Sequence, residues 1–223
     1  MPLQKASPHD RLMIESVRYT PCIQRQQDPT WKFARSGIPQ IHGWIVPLTT
    51  RDGAQGWGHV LATPIAGPDI ARTQAALETA CALLPGQNAL DQQSLHRLLA
   101  PACEGLPCVL SGLTSTALEL AARSLDLPLH ALLGSAVRRQ IPVARLIPIK
   151  EPEAMATEAL RLQTEGYRTL KLKLKLNGSA DLDLARVAAV RAAVGPALTL
   201  TVDVNQAYDA DTAIDVCQAL AHQ

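Results

Sequence analysis

Leucine and lysine alternate strictly over residues 170–176, behind Thr169, and no other feature restricts the fold of this chain as tightly. A period of two is the signature of a strand with one apolar and one charged face. Gly166-Tyr167 precedes the run and Asn177-Gly178 closes it with turn chemistry. A second alternating stretch, residues 198–205, carries Thr199, Thr201, Asp203 and Asn205 on its polar face. Between the two, residues 181–194 read as a helix, with Leu182, Ala185, Val187 or Ala188, Ala189 and Ala192 at helical spacing and Gly195-Pro196 at the end. Strand, helix, strand is a βαβ unit. Its right-handed crossover makes the strands parallel and, as neighbours, roughly 4.8 Å apart. The lysine ammonium groups and Asp203 then emerge at one carboxyl-end rim, where α/β sheets and barrels place their chemistry.

The rest of the chain divides around residue 140. Residues 1–10 are polar, contain two prolines and are expected to fray. Residues 12–22 suit a first strand, and 24–40 a long polar loop bearing Trp31, Lys32, Phe33 and Arg35. Residues 41–50 and 55–61 flank Arg51-Asp52-Gly53 as a hairpin. Three helices are expected next, over 68–84, over 91–99 with Asp91 as N-cap, and over 109–125 with Leu113, Ala117, Leu120 and Ala121 on one face. From residue 141 the texture becomes strand (141–149) and helix (152–165), with Pro152 at the first helical position and Gly166 just past the end. The βαβ unit and a last helix over 211–222 follow. The fold class is α/β: an α+β module over 1–140, then three β-α units of a parallel sheet or barrel over 141–223.

Composition removes several classes of function. A formal charge of +1 supplies no basic excess for phosphates, which argues against nucleic acid. The five cysteines are odd in number and scattered, so neither a disulfide framework nor a zinc site is supported. No apolar run approaches the length of a membrane span, and the N-terminus lacks the apolar core of a signal peptide. The expected setting is cytoplasmic. Aromatic residues are 3% of the chain, so the core must be built from leucine, alanine, valine and isoleucine.

Several segments, in order, resemble one family. Residues 166–173 (GYRTLKLK), 186–195 (RVAAVRAAVG) and 202–208 (VDVNQAY) look like the enolase superfamily, in its mandelate racemase and muconate-lactonizing branch. Residues 51–58 (RDGAQGWG) resemble the hairpin of its capping domain, and 129–143 the entry into its barrel. The resemblance implies a capping domain over 1–140 and the first part of a (β/α)8 barrel of TIM type over 141–223. It implies an enzyme that abstracts the α-proton of a carboxylate to form an enediolate: a racemase, epimerase, cycloisomerase or dehydratase. By the same resemblance Lys173 is the acid/base group and Lys171 its electrostatic partner. Asp203 is a ligand for Mg²⁺, Asn205 sits at the substrate, and Trp31 and Arg35 belong to a lid. A homo-oligomer is expected for the complete form, acting on a small carboxylate.

The residues suit that chemistry on their own terms. A lysine is a poor base at its ordinary pKa of about 10.4. A second ammonium on the same face and a nearby divalent cation favour the neutral amine. Asp203 offers a hard oxygen to Mg²⁺, which stabilises a developing oxyanion. A lysine-leucine alternation is equally the pattern of an exposed strand face, and residues 24–40 equally an ordinary loop. Lys175 shares the face and is read as a rim charge.

Two departures from the family pattern stand out. His59 occupies a position where the family hairpin often has glutamate. A whole barrel takes about 250 residues, and residues 141–223 supply three of its units. The resemblance places two more metal carboxylates and the opposing acid/base residue on later strands. The expectation is therefore a truncated member that binds Mg²⁺ weakly through Asp203, with a non-catalytic remnant or assembly partner as the alternative.

Overall fold

The computed structural model describes residues 10–25, 27, 40–62, 70–175 and 179–221. The expected frayed start, the loop residues Trp31, Lys32, Phe33 and Arg35, and the turn at Asn177-Gly178 lie outside them. Two compact units emerge, one formed by residues 10–25 with 40–139 and one that includes 140–221.

In the first unit, β3 (Gln40–Thr50) is the spine of a four-stranded antiparallel sheet. It pairs with β4 (Gln55–Ala62) through the expected hairpin, where Gly53 takes φ 88° and donates to Thr50 O. Along its other edge lie β1 (Ile14–Val17) and β2 (Thr20–Arg25). The sequence predicts one strand there, and the register indeed continues from Val17 opposite Leu48 to Thr20 opposite Ile45. The ladder breaks opposite Pro47. Arg18 donates to Pro47 O at 3.1 Å, but proline has no N–H to return the bond.

Helices α1 (Ile70–Leu83), α2 (Gln92–Leu99), α3 (Pro107–Ser124) and the short α4 (Leu129–Leu132) complete this unit. Asp91 caps α2 by accepting from Ser94 N at 3.0 Å, as its position implied. The core is aliphatic, with Leu77, Leu84, Leu95, Leu99, Leu113 and Leu120 fully buried. Helix α3 lies close on β4. A Cβ placed on Gly56 would come within 2.5 Å of the Leu120 backbone, and one on Gly58 within 1.8 Å of Thr116 Oγ1.

The second unit alternates β5 (Ala144–Ile147), α5 (Pro152–Thr164), β6 (Thr169–Lys173), α6 (Ala180–Val194), β7 (Thr199–Asp203) and α7 (Ala210–Leu220). The three strands are parallel and neighbour one another in chain order. Leu170, Leu172 and Leu174 form the buried face of β6 and pack with Ile147, Met155 and Leu162. Strands β6 and β7 are shorter than their alternating sequences. Lys175 (φ 78°) and Asn205 (φ 45°) leave extended backbone although their side chains continue the pattern.

Helix α6 turns a different face inward from the one its sequence suggests. Asp183, Arg186, Val187, Val190 and Val194 are buried, so of the expected row only Val187 is buried, and Leu182, Ala185, Ala188, Ala189 and Ala192 are not. Alanine is cheap on either side of a helix, so an alanine-rich pattern carries little directional information. Among the described residues no helix is long and apolar enough to cross a membrane.

Candidate active site at the strand ends of the second unit

Because Leu170 and Leu172 face the core, Lys171 and Lys173 must face the opposite side of β6. The parallel register sets Lys173 directly against Asp203 on β7. Both ammonium groups reach the same oxygen: Lys171 Nζ and Lys173 Nζ each lie 2.7 Å from Asp203 Oδ2. Lys173 Nζ also donates to Asn205 Oδ1 at 2.7 Å. Asn205 N in turn donates to Asp203 Oδ1 at 2.9 Å. Four of the expected site residues thus close into one network around the Asp203 carboxylate, with Lys171 as its outer member.

Exposure separates the two lysines. The side chain of Lys173 is 13% exposed, against 40% for Lys171 and 20% for Asp203. Burial by itself pushes the Asp203 carboxyl up. The hydrogen bonds from Lys171, Lys173 and Asn205 N outweigh it and hold the group well below the usual carboxylate range. An ammonium has three N–H donors. Lys173 commits two of them within the protein, which leaves one direction for a bound molecule.

A second cluster, built on the buried Asp183 and Arg186, lies beside this network, and the sequence reading missed it. The Asp183 carboxylate accepts from Lys175 N at 3.1 and 2.9 Å, from Arg186 Nη1 at 2.8 Å, and from the Tyr208 hydroxyl. Burial and then the Asp183 bond and charge raise the Tyr208 phenol above its ordinary range. Lys175 Nζ sits 5.6 Å from the centre of the Tyr208 ring, so its ammonium is held there and not beside Lys173. The one available signal was an Asp and an Arg at positions i and i+3, on the same face of α6 as Val187, Val190 and Val194.

Mg²⁺ takes hard oxygen donors in near-octahedral array and keeps several waters. Asp203 and the amide oxygen of Asn205 are donors of that kind, and they stand at the same strand end. Among the described residues no three His, Cys, Asp or Glu side chains group to hold a metal ion. Asp209 is engaged elsewhere, capping α7 through Thr212 N at 2.8 Å. The residues here therefore fit the ion as one carboxylate of a larger oxygen set. The first unit carries an open cleft of about 750 Å³ lined by Gly53, Gln55, Trp57, Arg123 and Leu127, and neither lysine nor Asp203 belongs to it.

Comparison with known proteins decides the family. Residues 18–134 match the mandelate racemase / muconate lactonizing enzyme N-terminal domain, and residues 154–223 match the enolase C-terminal domain-like family. The chain belongs to the mandelate racemase / muconate lactonizing enzyme branch of the enolase superfamily. Its α/β fold is accordingly that branch's capping domain followed by the first three β-α units of its barrel.

Among its relatives is a D-Ala-D/L-Ala epimerase of Cytophaga hutchinsonii, 33% identical over 61% of this chain and 37% of the relative. Another is a hydrophobic dipeptide epimerase of Enterococcus faecalis, 29% identical over 86% of this chain and 54% of the relative. The crystal structure of a dipeptide epimerase from Enterococcus faecalis V583, complexed with Mg and the dipeptide L-Leu-L-Tyr, superposes with a TM-score of 0.88. It is 27% identical and the match covers 94% of this chain and 58% of that one. The chain thus spans roughly a third to a little over half the length of these enolase-superfamily relatives.

Proposed function

We propose that the Lys171, Lys173, Asp203 and Asn205 network is the acid/base half of an active site that abstracts the α-proton of a carboxylate substrate. The observation that carries this reading is Lys173: largely buried, fixed by two 2.7 Å bonds to Asp203 and Asn205, with one donor direction left open. In the forward step the neutral Nζ takes the proton from Cα, and the C–H electron pair moves into the carboxylate to form the enediolate. Returning a proton to Cα completes an isomerisation. Lys171, the more exposed lysine, faces the substrate carboxylate and keeps positive charge beside Lys173. Asn205 contacts the substrate through whichever of its groups is not engaged with Lys173. Asp203 holds Mg²⁺, which when bound stabilises the negative charge of the enediolate.

The substrate is a small carboxylate, and the dipeptide epimerases among the relatives make a dipeptide the first to try. Trp31 and Arg35 are assigned to substrate binding, as the family resemblance implies. We further place the boundary between capping domain and barrel at residues 140 and 141, and expect a homo-oligomer in a cytoplasmic setting, which light scattering would test. With one strong carboxylate in the set, Mg²⁺ binds feebly to this chain, and tight binding in a calorimetric titration would overturn that. A non-catalytic role as an assembly partner is the second reading. It is favoured by the resting arrangement, in which both ammonium groups are neutralised by one carboxylate oxygen.

Proton exchange separates the two. The chain is incubated with Mg²⁺ and L-Ala-containing dipeptides in deuterium oxide, and loss of the α-proton signal is followed by NMR. The catalytic reading expects exchange that Lys173→Ala abolishes. Exchange at the parent rate in Lys173→Ala would refute the assignment of the base, and no exchange by the parent chain would favour the second reading.

A further inference from the structure

Asp183 has no part in the chemistry proposed above, yet it gathers the ends of all three strands of the second unit. Lys175 N, just past β6, donates to both of its carboxylate oxygens. The Tyr208 hydroxyl, just past β7, donates to Oδ2. Arg186 Nη1 donates to Oδ1, and Arg186 Nε donates to Lys150 O, just past β5, at 2.8 Å. Both members of the ion pair are buried. A buried pair of this kind is held by its geometry, since removing either partner leaves an uncompensated charge.

We infer that Asp183 and Arg186 are a positioning pair that sets Lys173 against Asp203 and Asn205. Lys175 lies two residues beyond Lys173, and Tyr208 three beyond Asn205, so the same carboxylate anchors both halves of the site. The backbone at these anchors is strained. Lys175, Asn205 and Gln206 have φ of 78°, 45° and 63° without being glycine. Such conformations persist where the surroundings over-determine them. The Lys175 ammonium over the Tyr208 ring adds a further tie between the two loops. A chain that needed Asp183 only to stabilise α6 would not require donors from two separate strand ends and a tie to the third through Arg186.

The inference deepens the reading of Lys173 as the acid/base group, but its test uses no substrate, so the two can fail separately. The rate at which N-hydroxysuccinimide acetate acylates each lysine of the 223-residue chain is measured by mass spectrometry, alongside the melting temperature. Tyr208→Phe keeps the ring and removes one donor, and Asp183→Asn keeps the shape and removes the charge. Ser179→Ala removes the N-cap of α6, where Ser179 Oγ accepts from Leu182 N at 3.2 Å, without touching the cluster. A positioning role expects Tyr208→Phe and Asp183→Asn to speed acylation of Lys173 about tenfold, as its fixed hydrogen bonds loosen. Ser179→Ala should lower the melting temperature and leave the Lys173 rate as in the parent. A Lys173 rate unchanged in Tyr208→Phe would overturn the inference. So would a rise shared by every lysine, which means lost fold, or an equal rise in Ser179→Ala, which means general destabilisation.

Discussion

Lys173 and Asp203 meet because the register of β6 and β7 sets them opposite one another, and the energetic consequence falls on Asp203. Three donors converge on its carboxylate, so its charged form is favoured in the folded chain despite burial. A carboxyl held below its unfolded value stabilises the fold at pH above about 4, and that contribution is lost as pH falls through the folded value. Asp203→Asn also leaves two ammonium groups facing a neutral amide. The variant should lose roughly 2 kcal/mol at pH 7, since hydrogen bonds to a charged group are the strong ones. Urea titration would show it, with the gap between parent and variant narrowing as pH drops below about 4. A gap of the same size at pH 7 and pH 2 would mean that the carboxylate charge is not what the lysines need.

At the scale of elements, the tightest fit is α3 on β4. Gly56 faces the backbone of Leu120, and Gly58 faces Thr116, whose hydroxyl is already bonded to Gly112 O at 2.6 Å. Neither contact is the free end of a flexible side chain, so an added methyl has nowhere to go. Gly56→Ala should cost about 3 kcal/mol, at the upper end for overpacking a dense core. Gly53→Ala gives the contrast: nothing lies within 4 Å of its missing Cβ, and only its φ of 88° opposes the change. It should cost about 1 kcal/mol. Thermal melts that ranked Gly53→Ala as the worse of the two would contradict this account of the hairpin and its helix.

Across the whole molecule the described residues hold two separate cores, each with its own aliphatic cluster. They are not equally covered. Helix α3 buries Leu113, Ala117, Leu120 and Ala121 completely, whereas β7 has a described hydrogen-bonded neighbour on one side only and leaves Val202 37% exposed. Local opening follows such differences in covered apolar surface. Hydrogen exchange read by mass spectrometry should find residues 199–220 less protected than 107–124. Equal protection would show the second unit to be as self-sufficient as the first.

Much of this was legible from one dimension. Alternation of leucine and lysine specified β6 and the face each side chain takes, because a strand has only two faces. The order strand, helix, strand made β6 and β7 parallel, since right-handed crossovers leave little choice. Together these put Lys173 and Asp203 at one rim from the sequence alone. The resemblance to the enolase superfamily named the same residues and the same two-part fold. Where the strands stop was not legible, because Lys175 and Asn205 continue the pattern in sequence while their φ angles end it in space. Nor was the inward face of α6. Its Asp183 and Arg186 are stable in the interior only because Lys150, Lys175 and Tyr208, from three different loops, arrive to bond them. Local pattern decides which residues line a strand, since that is a property of the backbone's own period. Whether a charge can be buried depends on partners far away in the chain, and only the tertiary structure brings those together.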